Sequence, residues 1–234
     1  SVAFIFIYNE VLTCEKNGYI ILRVFILPPL HATDQTREGS MGKPILNSEE
    51  KRVLKKLVEV EGLLIVPEPY KLDLSRGAIV VACSDGDQMD DLFDDIRRLS
   101  AEQGMKPRPH LLTEHGGAMV LSRDWHDPVR PGRANRLIED ILDARDMKDI
   151  YTILLFCHAP CGKAGACNVG IEDSIGHLMK AKRVVKGLDS RFQVRCFTHV
   201  DWHDEAVSGE HRKETYFISA ERWYQRQEFA ASVT

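Results

Sequence analysis

Short apolar runs alternate with amphipathic stretches along most of this chain. GAIVVACS (77–84) and DIYTILLFCH (149–158) lack the every-second polar residue of a half-exposed strand, so each predicts a buried strand, and FQVRCFTHVDWH (192–203) predicts a further strand. HLLTEHGGAMVLS (110–122) predicts another strand with a tight glycine turn, and ETYFIS (214–219) an edge strand. Between these runs the period changes. Asn47 with Glu50 three residues on is a capping-box start, and Leu54, Leu57, Val58 and Val60 form the stripe of a helix that Gly62 ends. MDDLFDDIRRLSAEQG (89–104) places acids in its first turns and arginines later, which suits the helix macrodipole. RANRLIEDILDARDM (133–147), SIGHLMKAKRVVKGL (174–188) and the tail from Ala220 also read as helices.

Strands that alternate with helices across 45–220 predict an α/β fold with a mainly parallel central sheet flanked by helices. In such sheets ligands gather at the carboxyl ends of strands. Cys83 and His158 both fall at such ends.

Residues 1–40 break the pattern. The first 30 are apolar and rich in β-formers, with Asn17-Gly18 as a hairpin turn between two runs. HATDQTREGS (31–40) is a linker by composition, and Met41 follows it. The expected division is an N-terminal extension or arm over 1–40, native or not, and one α/β domain over 41–234.

Composition narrows the partners. A net charge of −4 with no long basic stripe argues against nucleic acid. No run approaches the about 18 apolar residues of a membrane span. The six cysteines do not read as a disulfide framework in a chain of 234 residues, and no secretory signal is obvious, so a cytoplasmic protein with reduced thiols is expected. Clustered thiols then point to metal or catalysis.

Two short pieces carry candidate chemistry: CSD (83–85) after one predicted strand and HAPCG (158–162) after another. His158 and Cys161 have the spacing by which one turn presents two ligands, and Cys83 joins them if the strands are neighbours. Two thiolates and one imidazole leave a fourth position open, as in catalytic zinc sites. The plainer reading makes Cys83 and Cys157 small buried hydrophobes and His158 a satisfied strand-end histidine. A rival takes Asp85 and Asp87 as the D-x-D of a haloacid-dehalogenase-like phosphatase, with magnesium between carboxylates. It lacks the expected Thr or Val at Met89, has no clear late Asp-Asp motif, and makes no use of His158 or Cys161. An EF-hand reading fails, since Met89, Asp90 and Ile96 occupy its fifth, sixth and twelfth positions.

In order and spacing these pieces resemble the β-class carbonic anhydrases. IVVACSDGD is similar to their C-x-D-x-R motif, LLTEHGGAMV to R-N-A-G-N, the segment through LLFCHAPCGKA to their helix, strand and H-x-x-C-G, and VRCFTHVDWHDEAVSGE to their late strand and glycine turn. The resemblance covers roughly 50–220. It implies Zn2+ held by Cys83, His158 and Cys161, a homodimer or higher homo-oligomer, and a carbonate dehydratase-like lyase. Carbon dioxide, or a related small electrophile such as carbonyl sulfide, would be hydrated to bicarbonate by zinc-bound hydroxide, with Asp85 accepting a hydrogen bond from it. Two departures matter. Asp87 stands where the family keeps the arginine that pairs with its aspartate, so Asp85 is free to become a fourth ligand. Glu114 and His115 replace the arginine and asparagine of the second motif. Arg123 or Lys163 is the candidate substitute for the lost arginine, and Gly116-Gly117 is expected to bring backbone close to the substrate. If Asp85 closes the site, a zinc-binding protein without hydratase activity, a scaffold or regulator, is the alternative.

Overall fold

A computed structural model describes residues 44–68, 72–127, 132–205 and 211–233. The predicted N-terminal arm and its hairpin lie outside the described residues.

The domain is α/β, with a six-stranded, mainly parallel sheet in the order β1-β6-β5-β4-β2-β3. β2 (Ala78–Ala82), β3 (Pro109–Thr113), β4 (Thr152–Ala159) and β5 (Gln193–Glu205) run parallel. β6 (His211–Ile218) returns antiparallel to β5, and β1 (Leu64–Ile65) pairs outside it. The predicted edge strand is therefore covered by a two-residue strand too short to have a period. The run 110–122 also divides differently. Its strand stops at Thr113, and GAMVL (Gly117–Leu121) forms a buried 3-10 helix.

β4 shows why the unbroken apolar runs read correctly. All eight of its residues are buried. Ile153, Leu155 and Cys157 enter a core on one face, and Leu154 and Phe156 enter a second core on the other. Each such aliphatic burial is worth roughly 1.5–3 kcal/mol. Helices cover both cores. Among them, α2 (Met89–Ala101) packs Leu92, Ile96 and Leu99 into the second core. α3 (Arg133–Lys148) and α5 (Ile171–Leu188) pack Leu137, Ile141, Leu178 and Val185 into the first.

The local signals behave as their chemistry requires. α1 (Ser48–Lys55) opens on a complete capping box: Asn47 Oδ1 accepts the Glu50 N–H at 2.9 Å and Glu50 Oε2 the Asn47 N–H at 2.8 Å. The helix widens into a π-turn over Lys56–Val60 and stops at Gly62, whose φ is +54°. α4 (Gly162–Ala166) is a short helix directly after Cys161, and α6 (Ala220–Val233) is the helical tail. Among the described residues no helix is long and apolar enough to cross a membrane.

Candidate metal centre

β2 and β4 are immediate neighbours, paired Val81 to Leu155. Cys83 lies one residue past β2 and His158 lies at the end of β4. The chain then turns through Pro160 to place Cys161 at the entrance of α4. One ligand atom from each of Cys83, His158 and Cys161 lies within 4.8 Å of the others. Only 8%, 6% and 9% of these residues is exposed, so the cluster is nearly closed to solvent.

The electrostatics of the trio are unbalanced as it stands. Neither Nδ1 nor Nε2 of buried His158 has a hydrogen-bond partner. A buried ring without partners pays its full desolvation cost. Cys83 is drawn strongly toward the thiolate by the Cys161 thiol, and then by His158 and the Gly116 N–H, against its own burial. Cys161 is pushed the opposite way, first by Cys83 and then by desolvation. Their contact thus favours the thiolate on Cys83 and the thiol on Cys161. A divalent cation favours both thiolates and uses an imidazole lone pair, so the donor set fits zinc chemically.

The glycine turn serves the ligand. The Gly116 N–H donates to Cys83 Sγ at 3.4 Å. Gly117 has φ +60°, and a Cβ there would lie 2.6 Å from the Phe156 carbonyl oxygen and 3.0 Å from the Cys83 nitrogen. The close approach expected toward a substrate is thus directed at Cys83 and the adjoining strand backbone. Glu114 is turned away to Arg133, 2.5 Å off.

Asp85 stands at the mouth with its side chain 30% exposed. Its Oδ1 accepts the Asp87 N–H at 3.1 Å, and its Oδ2 lies 3.9 Å from His158 Nε2. Among the described residues no arginine pairs with Asp85. Lys163 does not fill that place, because its ammonium is 2.8 Å from nearly buried Asp127. Lys213 of β6 reaches the 85–87 loop. It lies 3.2 Å from the Asp87 carbonyl oxygen and 2.5 Å from Asp91 Oδ2. Asp91, which reads in sequence as a helix-start acid, also approaches His199 Nε2 at 3.7 Å. His199 is the β5 register partner of His158. This Asp91–His199–Lys213 group was missed in the sequence. Its members sit on a helix and two strands far apart in the chain, and nothing local says that they meet. His203 is held elsewhere, beside Asp201 and His211.

No family model matches the chain, and no curated protein sequence matches it. Among the solved structures that show likeness at low identity are two carbonic anhydrases. One is a variant of the β-carbonic anhydrase CafD of the filamentous fungus Aspergillus fumigatus, with TM-score 0.37, 10% identity and coverage of 67% of this chain and 99% of that one. The other is a carbonic anhydrase from Streptococcus mutans, with TM-score 0.27, 11% identity and coverage of 73% and 99%. At scores this low they carry no conclusion about the site, and the α/β fold rests on the sheet topology itself.

Proposed function

We propose that this protein holds one zinc ion on Cys83, His158 and Cys161 and hydrates carbon dioxide, or a comparably small electrophile, reversibly to bicarbonate. The observation that carries the reading is the buried imidazole of His158, with neither nitrogen hydrogen-bonded, set within 4.8 Å of two buried thiols. Zinc bound in such a site lowers the pKa of a water to about 7 and so supplies hydroxide near neutral pH. The chain's residues would do the rest. Cys83, steadied by the Gly116 N–H, and Cys161 hold negative charge toward the ion. The near closure of the cluster favours a small substrate over a phosphorylated one. Asp85 Oδ2, at the mouth and close to His158, would accept the O–H of the nucleophile and orient it. A soluble, cytoplasmic homo-oligomer belongs to the same proposal, because free thiolates persist where the environment is reducing.

The second reading rests on the same 3.9 Å approach of Asp85 to His158. With no arginine to hold it back, Asp85 would close the site as a fourth ligand and leave a zinc-binding scaffold or regulator. The phosphatase reading has less support, since Asp85 Oδ1 is engaged with the Asp87 N–H and the Cys–His cluster would stand idle.

Metal analysis and stopped-flow carbon dioxide hydration between pH 7 and 9 test the proposal together. Thiolate-ligated zinc lost in Cys161→Ser, with hydration lost in His158→Ala, is the expected result. Zinc without hydration would select the closed site. Magnesium dependence without thiolate-bound metal would select the phosphatase.

A further inference from the structure

Beyond His199, β5 leaves regular pairing. Its register with β6 shifts between Asp201 and Glu205, and His203 takes φ +49°, a costly conformation for a residue with a Cβ. Bulges of this kind re-aim side chains. Here Asp201, His203 and His211 converge, with one ligand atom from each within 4.8 Å of the others. The Asp201 side chain is 0% exposed, that of His203 7% and that of His211 50%. The group is walled by the sheet on one side and open to solvent through His211.

The Asp201–His211 spacing suits two ligands around an ion better than a hydrogen bond. Asp201 Oδ1 lies 3.6 Å from His211 Nδ1, and 3.4 Å from His203 Nδ1, the nitrogen that faces the Asp201 carbonyl. Hydrogen bonds to nitrogen close to about 2.7–3.2 Å. Neighbouring ligands held about 2.0–2.1 Å from a tetrahedral ion stand roughly 3.3 Å apart. The carboxylate is fixed, because Oδ1 also accepts the His203 backbone N–H at 3.0 Å. His203 is fixed too. Its Nδ1 lies 3.0 Å from the Asp201 carbonyl oxygen, while its buried Nε2 has no hydrogen-bond partner. A histidine held through one nitrogen with the other unsatisfied is the arrangement that metal ligation completes.

Two imidazoles and one carboxylate suit zinc, cobalt, nickel, copper or ferrous iron, whereas calcium and magnesium prefer all-oxygen shells. We infer that Asp201, His203 and His211 form a second, sulfur-free site for a divalent transition metal. It shares no residue with Cys83, His158 and Cys161, and it would tie the end of β5 to the start of β6.

Cobalt titration of the full, metal-stripped chain separates the two sites, because only a thiolate-ligated ion gives a sulfur-to-cobalt charge-transfer band. The wild-type chain should take up two equivalents, one of them with the band. Cys161→Ser should lose the band and keep one equivalent. His211→Ala, a half-exposed position whose loss should spare the fold, should keep the band and lose the other equivalent. His203→Gln, checked for folding by circular dichroism, should do the same. A His211→Ala chain that binds as much cobalt as wild type would overturn the inference, as would a folded Cys161→Ser chain that binds none. Failure of the thiolate site alone would appear differently, as one equivalent without any band.

Discussion

Gly117 holds the tightest position around the candidate centre. A side chain there needs a left-handed backbone and would press on the carbonyl of Phe156 and the nitrogen of Cys83. Gly117→Ala should therefore cost about 2–4 kcal/mol of stability, more than the removal of a surface contact, and should weaken metal binding at the same time. Urea denaturation and metal titration of the variant check both effects. Cys196 makes a different point. It is fully buried, and desolvation pushes its thiol up to about 12. An unfolded thiol ionises near 8.5, so above that pH the unfolded chain releases a proton that the folded chain keeps. Stability should then fall as pH rises from about 9 toward 12, by at most about 1.4 kcal/mol per pH unit for this one group. Cys196→Ala should lower stability at neutral pH but make that alkaline decline shallower, as chemical denaturation across the range would show. Residue identity made Cys83, His158 and Cys161 readable as candidates, because thiol and imidazole at turn spacing are ligand types for zinc. It could not reveal Asp91, His199 and Lys213, which α2, β5 and β6 bring together only in the fold.

Among the elements, β4 and α1 mark two extremes of what stabilises this domain. β4 feeds cores on both faces, so Leu155→Ala should cost about 2–5 kcal/mol through lost burial and the cavity left behind. Asn47→Ala removes an exposed cap and should cost about 1 kcal/mol. Urea midpoints of the two variants test the ordering, which a strand tolerant of truncation would reverse. Both elements were legible in the sequence for physical reasons, as a doubly buried strand has no polar alternation and a capping box is a local pair. The segment 117–121 was not legible. Its apolar residues are buried as a strand's would be, but the positive φ of Gly116 and Gly117 diverts the chain into a 3-10 helix. β6 was read as an edge because β1, which covers it, is too short to leave any pattern.

For the whole molecule, a metal that binds only the folded chain must stabilise it. At a free zinc concentration a hundred times the dissociation constant the gain is about 2.7 kcal/mol, which for a domain of this size raises the melting temperature by roughly 5–10 °C. Chelation should reverse that gain, and Cys161→Ser should lose the share due to the thiolate site, both readable by differential scanning calorimetry. The α/β class was legible at this scale from the alternation of elements, while the strand order was not. The order in turn has a temporal consequence. His158 lies 75 residues downstream of Cys83, and the two meet only because β4 inserts between β2 and β5. Parallel pairings of that sequence separation come late and slowly in folding, since a long loop must close before any contact repays it. A newly made chain would therefore pass through a period with its thiols unassembled, and uptake of metal would mark the moment when the middle of the sheet is complete.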